Sequence, residues 1–178
     1  DQPAGWDIAG TKETVSAINR QKLLNYRKNH YVASNTVVCL AGNFKEQPAI
    51  EKIKRYFSSM PRNKPAIKRE VTETQNQPEL LVHYKETDQT HLRLGARGFN
   101  LFHPKRYVQD ILGGLLGGMM SSRLFIEVRE KLGLAYYIKT EIEANPDTGF
   151  LVTAAGVDSQ RIEKALSVIL KEYKKISE

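Results

Sequence analysis

The chain has 178 residues, of which 40% are hydrophobic and 26% are charged, as in an ordinary globular protein with a packed core. This composition argues against disordered, collagen-like and membrane-spanning classes, and no apolar run approaches the roughly 20 residues that cross a bilayer. The net charge of +7 is spread along the chain, and no motif that reads RNA or DNA occurs. Neither nucleic acid nor a membrane is therefore expected as a partner.

The first 60 residues predict a helix, then a strand, then a second helix. Asn19 is a suitable N-cap for an amphipathic helix over 20–30. The apolar run 36–41 predicts a strand. The second helix is expected over 48–57, because its first residue is a proline, which the first helical turn tolerates.

The single cysteine, Cys39, lies within the predicted strand 36–41, where we expect a buried and unreactive thiol. One cysteine cannot form an internal disulfide, which fits a reducing compartment. We therefore expect a cytoplasmic protein, with an organelle matrix as the alternative.

Residues 61–78 interrupt this pattern. They contain three of the seven prolines, many charges and no hydrophobic periodicity. Such a segment is typical of a linker, so we predict a domain boundary within it.

Beyond the linker, strands are predicted over 79–85 and 90–97. In the second strand Leu92 and Leu94 alternate with charged or small residues, which indicates one buried face. A helix with an apolar face is expected to begin at Pro104.

The last third of the chain predicts a hairpin followed by a helix. Segments 136–143 and 150–157 flank the turn 145–149, which contains proline, aspartate and glycine. Ser159 is the expected N-cap of a final helix whose apolar residues follow the i, i+3, i+4, i+7 rule. Hairpins and amphipathic helices together predict an α+β fold, with a mostly antiparallel or mixed sheet and helices packed on one face.

Arg129 and Tyr136 lie seven residues apart, on either side of a predicted helix end. Gly133 is the expected left-handed stop between them, and a strand is expected to begin beside Tyr136. From the spacing alone, two interpretations stay open. Arg129 and Tyr136 could aim two polar groups at one point, or they could be a surface arginine that counters the helix dipole and a tyrosine that packs on a sheet. The helix itself is predicted from apolar residues at helical spacing, which are Leu124, Phe125, Val128 and Leu132.

Four glycines precede this helix, at Gly113, Gly114, Gly117 and Gly118. A phosphate-binding loop is not predicted, because no strand comes before them and no Gly-Lys-Ser/Thr sequence follows. We expect a flexible connection between two helices instead.

The histidines do not predict a metal site. They are His30, His83, His91 and His103, and no two share a helix at ligand spacing with a glutamate between them. Each is expected to be structural or solvated.

Segment 112–136, LGGLLGGMMSSRLFIEVREKLGLAY, resembles the second domain of the pitrilysin, insulinase and mitochondrial-processing-peptidase family of zinc metallopeptidases. The resemblance extends through 5–11, 26–44 and 83–91 to the last helix. It implies a two-domain roll fold and a zinc held by an inverted H-x-x-E-H motif. This chain does not contain that motif.

The resemblance implies that the chain is the middle of a longer polypeptide. Residues 1–60 would be the C-terminal part of the metal-bearing domain, 61–78 the linker, and 79–178 the N-terminal part of the second domain. Zinc is expected in the full-length parent and not in this portion. The implied partners are a peptide substrate and the rest of the polypeptide, and unpaired sheet edges make a homodimer possible.

The resemblance also implies site residues. Arg129 would donate charge-assisted hydrogen bonds to a peptide carbonyl or carboxylate, and Tyr136 would donate to the oxyanion that forms when water attacks. Gly117, Gly118 and Ser122 would contact substrate, as a glycine-rich loop does in relatives.

The function implied is that of a zinc metalloendopeptidase that hydrolyses peptides or presequences. This portion would supply contacts to substrate and would be inactive alone. The alternative is a noncatalytic homologue that acts as a processing-peptidase partner or an assembly subunit.

Overall fold

The structure, a computed structural model, describes residues 2–177. They form two compact units that divide between Val71 and Thr72. The first unit consists of helices and irregular segments. Its α-helices are α1 (Lys12–Ser16), α2 (Arg20–His30) and α3 (Glu46–Phe57), and its 3-10 helices are Pro3–Gly5 and Ala33–Asn35.

Local capping explains where the first two α-helices begin. Thr11 caps α1 by accepting from the backbone N–H of Thr14 at 3.3 Å. The Asn19 side chain accepts from the backbone N–H of Lys22 at 2.9 Å, which confirms the predicted start of α2. The predicted second helix is also confirmed, with a start at Glu46 in place of residue 48.

The predicted strand 36–41 is wrong, because the segment adopts no regular structure. Val37 is 92% exposed, and Cys39 is exposed in place of the expected buried thiol. A strand needs a neighbour that accepts and donates its backbone hydrogen bonds, and no described part of this unit pairs with the segment.

The second unit is built on a three-stranded antiparallel sheet. Its strands are β1 (Thr90–Arg97), β2 (Ala135–Ala144) and β3 (Gly149–Val157), in the order β1-β3-β2. The predicted hairpin of β2 and β3 is confirmed, and its turn is closed by the Asn145 N–H, which donates to the Thr148 carbonyl at 2.8 Å.

Helical segments cover the sheet. They are α4 (Arg106–Gly113), the π-helix π1 (Gly114–Gly118), the π-helix π2 (Phe125–Lys131), the 3-10 turn Ser159–Arg161 and α5 (Ile162–Ser177). The core between them and the sheet consists of Leu116, Leu124, Phe125, Val128, Leu134, Ala135, Ile138, Leu151, Ala155, Val157, Ala165 and Ile169.

A chain of hydrogen-bonded hydroxyls and one close glycine contact place α5 and π1 on the same face of the sheet. Thr140 of β2 and Thr153 of β3 share a hydrogen bond of 2.7 Å, and Thr153 bonds the Tyr173 hydroxyl of α5 at 2.5 Å. Gly117 of π1 also contacts Thr140. The expected α+β fold, with helices on one side of an antiparallel sheet, is therefore confirmed.

Two details of the second unit differ from the prediction. The predicted strand 79–85 is irregular, and Leu81 is 94% exposed, because no described segment pairs with it. Asp158, and not Ser159, caps the final helical segment, since its carboxylate accepts from the Gln160 N–H at 2.9 Å. The Ser159 hydroxyl instead bonds Thr90 at 2.7 Å.

Among residues 2–177, no helix combines the length and the apolar character needed to traverse a lipid bilayer.

Candidate functional site

The turn after π2 separates Arg129 from Tyr136. Gly133 has φ +54°, which confirms the predicted left-handed stop. Its N–H donates to the Arg129 carbonyl at 3.0 Å, and the Leu134 N–H donates to the Val128 carbonyl at 2.8 Å. These two bonds satisfy carbonyls at the helix end and fix the path of the chain from it into β2.

Arg129 is exposed near the end of π2. Its guanidinium carbon lies 4.7 Å from the centre of the Phe125 ring, a cation–π contact with a buried aromatic side chain. Within the described chain, no hydrogen bond or ion pair occupies the guanidinium. Its N–H groups therefore remain available to an outside acceptor.

Tyr136 is the extra residue of a β-bulge. Ala135 pairs with Val157 and Tyr137 pairs with Gly156, so Tyr136 has no partner residue on β3. The burial pattern agrees, since two consecutive exposed tyrosines stand between buried Ala135 and Ile138. Bulges redirect side chains and often occur beside functional sites.

The two adjacent tyrosines have different surroundings. The Tyr137 hydroxyl lies 3.0 Å from His91 Nδ1, and the Tyr137 ring lies so close to β3 that a Cβ at Gly156 would be 2.5 Å from Cε1. Tyr136 is 62% exposed, and its hydroxyl makes no hydrogen bond within residues 2–177. No sequence pattern distinguishes these two tyrosines, because the bulge depends on the register of the sheet.

A small open cleft of about 140 Å³ lies beside Tyr136. Arg129 does not line it, and no hydrogen bond joins Arg129 to Tyr136 in the described chain. Both side chains reach solvent on the two sides of one hydrogen-bonded turn. Their convergence on a single point stays a prediction. The cleft is lined by Gly133, Leu134, Ala135, Tyr136, Asp158 and Arg161.

The glycine segment forms the end of α4 and π1, with non-helical dihedrals at Gly117 (φ −159°, ψ 17°), and its flexibility stays a prediction. A Cβ at Gly117 would lie 2.4 Å from Thr140 Oγ1 and 2.5 Å from the Thr140 backbone nitrogen. Gly117 is buried, whereas Gly118 is exposed. Close approach to β2, and not backbone freedom, is the reason for glycine at position 117.

Ser122 follows this segment and is 3% exposed, with no hydrogen-bond partner for its hydroxyl within residues 2–177. Of the three expected substrate contacts, Gly118 alone lies at the surface of this unit. The substrate role of Gly117, Gly118 and Ser122 stays a prediction.

The described residues do not fit a zinc ion, because no group of three His, Cys, Asp or Glu side chains is placed to hold one. The histidines make other contacts. His30 stacks on Tyr26 at 4.1 Å between ring centres, and His103 stacks on Phe99 at 3.9 Å.

Curated relatives of this chain are named as zinc proteases. The uncharacterized zinc protease YmxG of Bacillus subtilis is 33% identical over 165 residues, which cover 93% of this chain and 40% of that protein. An uncharacterized zinc protease of Rickettsia bellii is 31% identical over 179 residues, which cover 100% of this chain and 43% of that protein. The chain thus spans about two-fifths of the length of these relatives.

Solved structures share the fold. A peptidase M16 inactive domain from Pseudomonas fluorescens aligns with a TM-score of 0.76 at 21% identity and covers 93% of this chain and 40% of that one. A protease from Helicobacter pylori aligns with a TM-score of 0.71 at 21% identity and covers 93% of this chain and 42% of that one. A family model described as the peptidase M16 inactive domain matches residues 17–178. The chain therefore belongs to the peptidase M16 inactive-domain family, which confirms the resemblance to the pitrilysin group of zinc metallopeptidases.

Proposed function

We propose that this chain is the substrate-contacting portion of a zinc metalloendopeptidase that hydrolyses peptides or presequences. In this proposal residues 1–60 complete the metal-bearing domain, 61–78 link the two domains, and 79–178 begin the second, inactive domain. The rest of the polypeptide is the partner that carries the zinc. A homodimer and a cytoplasmic location stay predictions.

The observation that carries the proposal is the bulge at Tyr136. It exposes a phenol with an unoccupied hydroxyl on a backbone that the sheet and the Gly133 turn hold in place. A preorganised donor of this kind stabilises the negative charge that develops on a peptide carbonyl oxygen when water attacks it. The neighbouring Tyr137 cannot do this equally well, because its hydroxyl is already bonded to His91.

Arg129 is suited to bind the same peptide. Its planar guanidinium can donate two parallel hydrogen bonds to a carboxylate, or one to a backbone carbonyl. Stacking on Phe125 restricts the side chain without using its N–H groups. The arginine would therefore orient the peptide while Tyr136 acts on the reacting carbonyl.

The zinc of the proposed enzyme is not assigned to this chain. The described residues do not fit the ion, so we expect this portion alone to be inactive. The relatives' names support zinc in the full-length protein, and they do not favour the noncatalytic alternative.

The proposal is tested by kinetics of Arg129→Ala in the full-length polypeptide. Hydrogen bonds to charged groups contribute about 1.5–3 kcal/mol, so we expect kcat/KM to fall roughly tenfold to a hundredfold. The matched control is Lys131→Ala, which removes another cation from the same helix. Among the described residues, Lys131 forms its ion pair with Glu127. An equal loss in the two variants, or no loss in Arg129→Ala, would contradict the assignment.

A further inference from the structure

Arg161 holds the turn that connects Arg129 to Tyr136. Its Nη1 donates to the Gly133 carbonyl at 2.9 Å, and its Nη2 donates to the Leu132 carbonyl at 3.0 Å. These carbonyls lie at the C-terminal end of π2, where backbone acceptors lack partners within the helix. A guanidinium fork is suited to this role, because it presents two donors at a fixed spacing.

The backbone that carries Arg161 is itself fixed. The Asp158 carboxylate accepts from the Gln160 N–H at 2.9 Å, and the Asp158 carbonyl accepts from the Arg161 N–H at 2.9 Å. Asp158 directly follows Val157, which pairs with Ala135 next to the bulge. The backbone of Arg161 is thus fixed just after the end of β3. Its side chain reaches from there to the turn that precedes Tyr136.

We propose that Arg161 is a positioning residue, which keeps the Arg129 guanidinium and the Tyr136 hydroxyl in their working arrangement. This inference rests on the proposed function. Arg161 bonds carbonyls on the two residues that precede Leu134, so its loss frees the segment through which the relative placement of the two side chains is set. A displacement of about 1 Å at a reacting group can cost up to roughly a hundredfold in rate.

A second contact ties π2 to α5 at the opposite end, and it provides a matched control. Arg123, just before π2, donates from Nη2 to Glu172 at 2.9 Å. The ion pair joins the residues before π2 to α5, whereas the two hydrogen bonds of the Arg161 guanidinium join the residues after π2 to the turn that precedes α5. Of these two contacts, only the Arg161 bonds reach the turn beside Tyr136. Loss of general stability and loss of positioning can therefore be separated.

The experiment compares Arg161→Ala, Arg161→Lys and Glu172→Gln in the full-length polypeptide, with kcat, KM and the thermal midpoint measured for each. We expect Arg161→Ala to lower kcat about tenfold to a hundredfold with little change in KM. The kcat of Arg161→Lys should lie between those of Arg161→Ala and the wild type, since an ammonium group does not present two donors at the fixed spacing of a guanidinium. Glu172→Gln should lower the thermal midpoint and leave kcat close to that of the wild type below its unfolding range.

The outcomes separate the positioning role of Arg161 from the proposed function of Arg129 and Tyr136. Loss of kcat in Arg129→Ala and Tyr136→Phe with a normal kcat in Arg161→Ala overturns the positioning role alone. An equal fall of kcat in Glu172→Gln and Arg161→Ala also overturns it, because general destabilisation would then explain both. Normal kinetics in Arg129→Ala and Tyr136→Phe overturn the proposed function, and the positioning role with it.

Discussion

Arg123, just before π2, and Glu172 of α5 form an ion pair of 2.9 Å. Glu172 is 3% exposed, and its second carboxylate oxygen accepts from Lys175 at 2.5 Å. A buried carboxylate is tolerated here because both of its oxygens are bonded to cations. The pair joins α5 to the residues that precede π2.

This pair makes stability depend on pH. Burial alone raises the pKa of Glu172, but the hydrogen bonds and charges of Lys175 and Arg123 outweigh it and hold the pKa below its ordinary value of 4.5. A lowered folded pKa means that the carboxylate stabilises the protein above about pH 4.5, and that this stability is lost as the pH falls through the folded value.

We therefore expect Glu172→Gln to lose about 1–3 kcal/mol of unfolding free energy at neutral pH. The difference in unfolding free energy between the variant and the wild type should shrink as the pH falls below about 4.5. Denaturant unfolding at several pH values measures it. A gap that stays constant into the acid range would show that the charge of Glu172 is not responsible.

Gly117 is predicted to be intolerant of any side chain. In Gly117→Ala the new Cβ meets Thr140 Oγ1 at 2.4 Å and the Thr140 backbone nitrogen at 2.5 Å, so π1 must move away from β2. We expect a loss of about 1–3 kcal/mol in unfolding free energy, as overpacked cores show.

Gly114→Ala is the matched control for this prediction. Gly114 has helical φ and ψ of −59° and −47°, and a Cβ there meets nothing within 4 Å. Alanine should stabilise the helical turn by up to about 1 kcal/mol. If both variants shift the unfolding midpoint in the same direction by the same amount, the packing explanation of Gly117 is wrong.

Metal removal is predicted to leave this chain unchanged. Since the described residues do not fit zinc, purified protein should contain no stoichiometric zinc, and a chelator should not shift its thermal midpoint. It should also cleave no peptide by itself. Tightly bound zinc together with chelator-sensitive cleavage would refute this expectation.

Structural features that are set by residues close together in the chain could be predicted from the sequence. The Asn19 cap, the Gly133 stop and the turn of the β2-β3 hairpin each depend on residues that are neighbours in the chain. Arg129 and Tyr136 could be placed on the two sides of a helix end for the same reason.

Features that depend on distant partners could not be predicted. Segments 36–41 and 79–85 have strand composition, but a strand forms only where another strand receives its hydrogen bonds. The bulge at Tyr136 arises from the register of β2 against β3, and the Arg161 fork joins residues 28 positions apart. The close approach of β2 to Gly117 likewise depends on the tertiary fold, so the sequence pattern predicts only a flexible glycine segment there.

The most direct test of the account compares the two adjacent tyrosines in the proposed full-length enzyme. Tyr136→Phe and Tyr137→Phe each remove one hydroxyl from the same strand, and only Tyr137 has its hydroxyl bonded within the described chain, to His91. We predict that Tyr136→Phe lowers kcat about a hundredfold to a thousandfold, while Tyr137→Phe retains a kcat close to that of the wild type. Equal kcat values for the two variants would contradict the claim that Tyr136 acts on the substrate.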